Sequence, residues 1–285
     1  MGSSLPLFEE VFAFAKERHL ISLRRASGEP SPWTTDEILQ KHHFCSVYRE
    51  LDRVTKWGAV NWRAPNADDP DLWFALLVFR LINWPDTLQE LGYPVPWNQP
   101  HFLEVMRSRK ERGERVYNPA YMIRSDKSYA GRSKAEYQAD KQFSSWWENR
   151  TNLRPKVGMS LNDYYEVLIK CYGIGSFLAG QAIADLKYVE PLKSASDWST
   201  FACSGPGSRR GLNRLLGRPI KQAWKELEWR KELRCFQEAF NSRWPWEPVH
   251  GQDANNILCE ADKYLRARSG QKCSLRKFKP RAGAT

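Results

Sequence analysis

The amino-acid sequence predicts an all-α fold. Three observations carry that reading. Apolar residues recur at three- and four-residue spacing in nearly every segment, residues that suit helix starts stand ahead of those segments, and no two runs alternate apolar and polar in the manner of paired strands.

Residues 5–25 carry Phe8, Val11, Phe12 and Ala15 on one helical face, with Ser4 available as an N-cap. PSPWTTDEILQ reads as a loop entering a short helix capped by Thr34 or Thr35. Residues 44–57 repeat Phe44, Val47, Leu51 and Val54 on one face, which predicts a single helix. Residues 70–83 are apolar all round and predict a buried helix, with Pro70 in its first turn and Pro85 ending it. A charged helix over 100–112 follows, then an irregular stretch over 114–132 and a surface helix over 133–150. Ser160 and Asp163 form a capping-box pattern opening a helix over 161–172. A Gly-Ile-Gly turn leads to a helix over 176–188, and 189–211 is rich in loop residues. Helices over 219–242 and 253–267 complete the pattern. With no Gly/Ser linker and no repeat, the expected organisation is one helical domain over 1–267, with room for two lobes around a cleft, and a basic flexible tail over 268–285.

The chain has 285 residues, ample for a sizeable core, and no apolar run reaches the ~18–20 residues of a membrane span. No signal-peptide pattern opens it, and its six cysteines are scattered without a CxxC pair, which points to reduced thiols and an intracellular protein, in the cytoplasm of a bacterial host if the source is viral. A zinc site from Cys203, His250 and Cys259 has irregular spacing; neither a metal nor a cofactor is called for. Lys and Arg number 44 against 33 Asp and Glu, a formal charge of +11 that favours polyanionic partners, nucleic acid first among them. The 13 tryptophans suit either a core or base stacking.

CYGIGSFLAGQAIADL (171–186) places two glycines between helical runs. Gly173 and Gly175 permit a tight turn, Ile174 plugs it, and the small Ala179 lets the two helices touch. The second helix would start at Ser176 with backbone amides free to take a phosphate oxygen. The plain structural reading is a helix break with a glycine cap. SGPGSRRGLNRLLG (204–217) is a second candidate anion site: a Gly-Pro-Gly turn, Ser208 as a cap, and Arg209 and Arg210 in a first turn, where they oppose the helix dipole unless an anion is bound. Gly207, Ser208, Arg209 and Arg210 are thus candidate phosphate ligands, although the P-loop pattern GxxxxGK[ST] is absent from these residues. Arg49 and Arg53, one turn apart, are candidate DNA contacts. Glu260 and Lys263 share the polar face of the last helix and are candidate catalytic residues, while Asp262 falls at the edge of the apolar face, where a carboxylate needs a partner. Intrahelical ion pairs account for these last clusters if each stands alone.

The hairpin resembles the helix-hairpin-helix of DNA repair glycosylases, with Tyr172 where that motif usually has proline. That resemblance implies a catalytic aspartate a little over twenty residues on; Asp197 lies 22 residues after Gly175. No lysine stands at the position of the lyase nucleophile, Lys187 and Lys193 being only nearby. The ordered set ERHLISLRRASGEPSPWTTDEIL, FCSVYRELDRVTKW, YNPAYMI, GIGSFLAGQAIADL, GPGSRRGLNR and LCEADKYLR spans 17–266 and resembles the alpha-glutamyl/putrescinyl thymine pyrophosphorylase family. That family takes in the helical domain of 5-hydroxymethyluracil DNA kinases and the amino-acid:DNA transferases of bacteriophages, and is similar to helix-hairpin-helix DNA glycosylases.

The resemblance implies a glycosylase-like helical domain that acts on double-stranded DNA carrying a hypermodified thymine. The implied reaction is a transfer in which an amine or amino acid replaces pyrophosphate on 5-pyrophosphoryloxymethyl-deoxyuridine, after a separate 5-hydroxymethyluracil DNA kinase has acted. In that scheme Arg209 and Arg210 clamp pyrophosphate, and Asp197 or Glu260 deprotonates the incoming ammonium. The alternatives are a monofunctional DNA glycosylase, the helical component of a kinase, and a non-catalytic DNA-binding protein.

Overall fold

The computed structural model describes residues 5–118, 130–271 and 276–278. In chain order the helices are α1 (Leu5–Ala26), α2 (Glu37–Lys41), α3 (Arg53–Gly58), α4 (Leu72–Ile82), α5 (Pro85–Leu91), α6 (Gln99–Glu111), α7 (Lys134–Tyr137), α8 (Ser144–Glu148), α9 (Arg150–Leu153), α10 (Leu161–Leu168), α11 (Ser176–Leu186), α12 (Pro206–Leu215), α13 (Glu226–Asn241) and α14 (Gly251–Arg268). Among the described residues there is no strand, only one isolated antiparallel bridge between His42 and Lys277. The all-α expectation holds. None of these helices is long and apolar enough to cross a membrane.

The chain forms two compact units. One is built from Met1–Asp52 and Ser199–Thr285, the other from Arg53–Trp198. In the first, α1, α12 and α13 pack on α14, whose Ala254, Ile257, Leu258 and Ala261 are buried beside Phe14, Phe44, Leu212, Trp229 and Phe240. In the second, α4 is the axis. All of its eleven residues are buried, as its composition predicts, and it ends at Asn83 in the left-handed conformation (φ 49°). α4 packs against α11, and the buried Arg80 reaches Asp185 of that helix through two contacts of 2.5 Å, with Thr55 accepting at 3.1 Å.

Several elements differ from the sequence expectation. Residues 44–57 are not one helix. The Ser46 amide donates to the Asp52 carboxylate (2.8 Å) and the Arg49 amide to Asp253 of α14 (2.9 Å), so tertiary carboxylates take amides that a helix would use internally. Only a 3-10 turn forms, over Arg49–Leu51, before α3. α2 is capped by Asp36, not by Thr34 or Thr35; Thr34 instead accepts from the Asp36 amide. The segment from 133 to 150 passes from α7 through a π-helical stretch (Gln138–Phe143) into α8, and it buries Gln138, Gln142, Phe143 and Trp146 instead of lying on the surface. α12 starts at Pro206 with Gly205 as N-cap, so Ser208 sits inside the first turn. α13 begins at Glu226, seven residues later than the periodicity suggests. Part of the irregular segment, including Pro119–Ile123 of the YNPAYMI motif, lies outside the described residues, as do Cys273 and most of the basic tail. The described part of that tail docks: Arg276 accepts from the His43 amide and Phe278 donates to the Lys41 carbonyl.

Candidate functional site

In the first unit, four of the sequence motifs meet around α14. The seam begins with close helix packing. A Cβ on Gly207 would come within 2.3 Å of the Cys259 sulfur, and one on Gly211 within 2.3 Å of the Leu258 carbonyl oxygen, so both positions of α12 require glycine. The next residues on that face are cationic: Arg210 and Arg214 donate to the two oxygens of Asp262 at 2.7 and 2.9 Å. Asp262 is fully buried, and these guanidinium groups are the partners that its position on the helix demands. Arg209 instead pairs with Glu226 (3.1 Å) and donates to Ser204 Oγ (2.7 Å).

The corner expected to offer free amides near residue 207 is therefore closed. Gly207 and Ser208 are buried, and the Ser208 hydroxyl is spent on the Gly205 amide and carbonyl. Of the predicted phosphate ligands, only Arg209 and Arg210 keep partly exposed side chains, at 41 % and 32 %.

One turn along α14, Glu260 ties the seam to the 43–52 segment. Its carboxylate pairs with Lys263 (2.5 Å) and accepts from the Cys45 amide (3.2 Å). Burial works to lower the Lys263 pKa, but Glu260 and the neighbouring thiols outweigh it and hold the ammonium charged. Burial, helped by Glu260, pushes the Cys259 thiol up to about 11 and the Cys45 thiol well above its ordinary value, so neither is a thiolate at neutral pH. Asp52 is different. Burial raises its pKa, and the hydrogen bonds from Ser46 with the nearby Arg18 and Arg49 charges only partly offset that. Ser46 is its hydrogen-bond partner, through both the backbone amide and the side chain. A partly buried carboxylate with a raised pKa is suited to taking a proton.

The sequence brought Glu260 and Lys263 forward as candidates, but not Asp52. Its signal was indirect: ERHLISLRRAS, FCSVYRELDR and LCEADKYLR each contribute charged residues, Arg18, Asp52 and Glu260, whose fields act on one another here. Arg49 is buried at 5 % exposure, beside Glu50 at 3.7 Å, whereas Arg53 is exposed and lies over the Trp84 ring in the other unit. The helix predicted to carry both arginines is divided between them.

In the second unit, α10 and α11 form the expected hairpin. Gly173 takes a positive φ of 76°, Ile174 is buried, and Gly175 is the N-cap of α11 in extended conformation. The turn is anchored from behind by Trp146 Nε1 on the Tyr172 carbonyl (2.9 Å) and Gln142 Nε2 on the Gly173 carbonyl (3.3 Å). Its outer face is open: Gly173, Gly175 and Ser176 are exposed, and Tyr172 and Phe177 flank them at 47 % and 50 % exposure. The Ser160–Asp163 capping box opens α10 as predicted. Asp197 caps the same helix from outside, accepting from the Leu161 (2.7 Å) and Asn162 (3.0 Å) amides with its two oxygens. Lys187 is buried, donates to the Trp198 carbonyl (2.8 Å) and lies 3.8 Å from the Trp198 ring centre. Among the described residues no group of three or more His, Cys, Asp or Glu side chains is arranged to hold a metal ion.

Fold and site together define a class: a cation-rich all-helical domain with a carboxylate–ammonium–thiol cluster in one unit and an open glycine hairpin in the other. Residues 5–273 match the family model described as 5-hmdU DNA kinase, helical domain, and the chain belongs to that family. It is 29 % identical over 227 residues to a 5-hmdU DNA kinase of Bacillus phage SP10, which covers 72 % of this chain and 36 % of that protein. The chain thus spans about a third of the length of the curated relative it matches. No solved structure matches.

Proposed function

We propose that this chain acts on hypermodified thymine in double-stranded DNA, replacing a pyrophosphate on the 5-methylene group with an amine or amino acid. The observation that carries the reading is the clustering of Asp52, Glu260 and Lys263 around Cys45, with Arg210 acting on the neighbouring Cys259, in a chain whose family is named for 5-hmdU DNA. In the reaction the bond between the 5-methylene carbon and the pyrophosphate oxygen breaks, and its electron pair leaves on pyrophosphate. The co-substrate nitrogen forms the new carbon–nitrogen bond after giving one proton to a carboxylate. Asp52 or Glu260 receives that proton, with Asp52 favoured because burial raises its pKa. Arg209 and Arg210 meet the leaving group by exchanging Glu226 and Asp262 for phosphate oxygens. The exposed backbone at Gly173, Gly175 and Ser176 takes a phosphate of the duplex. Supply of the pyrophosphate ester falls to a separate 5-hydroxymethyluracil DNA kinase.

A second reading is favoured by the relative's description: the chain is the helical part of a kinase and presents the base to a nucleotide-binding part. One assay separates the two. The protein is incubated with duplexes bearing thymine, 5-hydroxymethyluracil or its pyrophosphate ester, with ATP or with a pool of amines and amino acids, and the nucleosides are analysed by mass. An amine adduct formed from the pyrophosphate ester supports transfer, and an ATP-dependent mass gain on 5-hydroxymethyluracil supports the kinase reading. Free base would replace both with glycosylase chemistry.

A further inference from the structure

A cavity of about 250 Å³ lies in the first unit between α1, the 31–34 loop, α2 and the docked 276–278 segment. Its walls are apolar and aromatic, from Ile21, Trp33, Leu39, Phe44 and Phe278. Its polar lining is cationic or neutral, from Arg18, Arg25, His42, His43, Gln40 and Thr34, and no carboxylate lines it.

Arg18 is the telling residue. It is half-buried, and burial pulls its pKa down against the favourable fields of Asp52 and Glu260. Nε and Nη2 donate to the Phe44 carbonyl (3.3 and 3.1 Å) and Nη1 to Ser22 Oγ (2.9 Å). Those bonds fix the guanidinium plane, leave one N–H on each terminal nitrogen unspent, and include no carboxylate. A guanidinium held in place without an ion-pair partner, in the wall of a cavity, is a ready receptor for a two-oxygen anion. Arg25 adds a second positive charge 5.0 Å from the Trp33 ring centre and 5.9 Å from that of Phe278.

The walls are held in place before any ligand arrives. Arg24 bonds the Trp33 carbonyl, the Trp33 indole bonds the Glu29 carbonyl (2.7 Å), and Gln40 bonds the Thr34 carbonyl (2.6 Å). Such a rigid site loses little entropy on binding.

We infer that this cavity binds a small molecule that carries a phosphate or carboxylate on a planar or apolar body. The oxyanion pairs with Arg18 and Arg25, and the body lies against Trp33, Phe44 and Phe278. A bare inorganic anion would leave the aromatic walls unused, and a diamine would face only positive charge. Two sources supply the required chemistry: an aromatic carboxylic acid, through its carboxylate, and a phosphorylated pyrimidine nucleotide. The inference stands apart from the transfer reaction, because binding can be measured without DNA.

The test is isothermal titration of the full chain with phenylacetate, thymidine monophosphate and putrescine. Binding of either anion with a Kd below about 1 mM, and none of putrescine, supports the inference; the anion that binds names the source. Arg25→Gln, at an exposed position, should weaken that binding at least about tenfold without moving the melting temperature, and Trp33→Ala should weaken it as well. Absence of binding by both anions, equal binding of putrescine, or unchanged affinity in Arg25→Gln overturns it. An active transferase that binds neither anion would sink this site and leave the transfer reading standing.

Discussion

Two glycine-bearing turns lead into helices in this protein, and they use glycine in opposite ways. At the start of α12, Gly207 and Gly211 are glycine because another helix is already there: any Cβ would strike Cys259 or the Leu258 backbone. At the start of α11, Gly175 has nothing within 4 Å of the place its Cβ would occupy, and Gly173 is needed for its positive φ, its inner side resting on the Gln142 side chain 2.5 Å from where a Cβ would stand. Charge divides the same way. The α12 arginines are matched by Glu226 and Asp262, whereas the hairpin tip presents uncharged backbone between two exposed aromatic rings. A Gly-x-Gly pattern beside a helix start therefore marks either a closed contact or an open one, and the neighbour across the gap decides which.

The largest effect that separates the two regions is expected at Asp262. Asp262→Ala leaves Arg210 and Arg214 facing a cavity where a buried carboxylate stood, and should cost about 3 kcal/mol, the low end for breaking a buried pair because the arginines can reach water. A chemical denaturation curve measures it, and a loss under about 1 kcal/mol would mean that the seam is not held by charge. Gly211→Ala should come next, at about 1–3 kcal/mol, because its Cβ meets a backbone carbonyl that cannot turn aside. If a melt of that variant matches wild type, α12 and α14 are not in close contact.

The sequence made one half of each of these interactions legible. Asp262 stood where a carboxylate needs a partner, but nothing local named Arg210 and Arg214, 52 and 48 residues away. Elements whose hydrogen bonds close within a few residues were read well: the Ser160–Asp163 box, the buried α4, and the hairpin with Ile174 as its plug. The 44–57 stretch misled because Phe44, Val47, Leu51 and Val54 keep helical spacing, while the amides of Ser46 and Arg49 are claimed by Asp52 and by Asp253. Asp253 lies 204 residues from Arg49, beyond the reach of any periodicity. Burial of Gln138 and Gln142 was hidden for a similar reason, since polar letters read as surface until Tyr117 and the Gly173 carbonyl supply their partners. The candidate site suffered most: Arg18 and Asp52 matter through the fields of distant groups, and neither residue type at its position announces that.

Asp52 offers a smaller and pH-dependent contrast with Asp262. Asp262 is answered by two guanidinium groups, whereas Asp52 ionises against burial. A carboxyl whose pKa is raised on folding costs nothing at pH well below the ordinary carboxylate value, where folded and unfolded chains are both protonated. The cost grows as pH rises through the unfolded value and is complete above the folded one. Asp52→Asn keeps an oxygen for the Ser46 amide, so it should be slightly more stable than wild type at neutral pH and no different in acid. The same variant should lose adduct formation, and the wild-type rate should fall on the acid side above the usual carboxylate range. A variant destabilised equally at every pH would make Asp52 a structural residue.

The smallest change in stability, and the sharpest test of the open turn, is expected at Gly175. Its extended conformation suits any residue, so alanine there introduces no strain. Alanine is a poorer N-cap than glycine, which destabilises by roughly 0.5–1 kcal/mol, and it restricts the unfolded chain, which stabilises by about 0.4–1 kcal/mol. The two nearly cancel, and the melting temperature of Gly175→Ala should match wild type. Duplex DNA that approaches the α11 amides must nonetheless pass the new methyl, so affinity at fixed salt should fall several-fold, while the slope of affinity against salt stays the same because no cation was removed. Unchanged affinity would place the DNA contact away from this turn. A fall in affinity together with a shallower salt slope would show that cations near the hairpin, not its backbone, carry the contact.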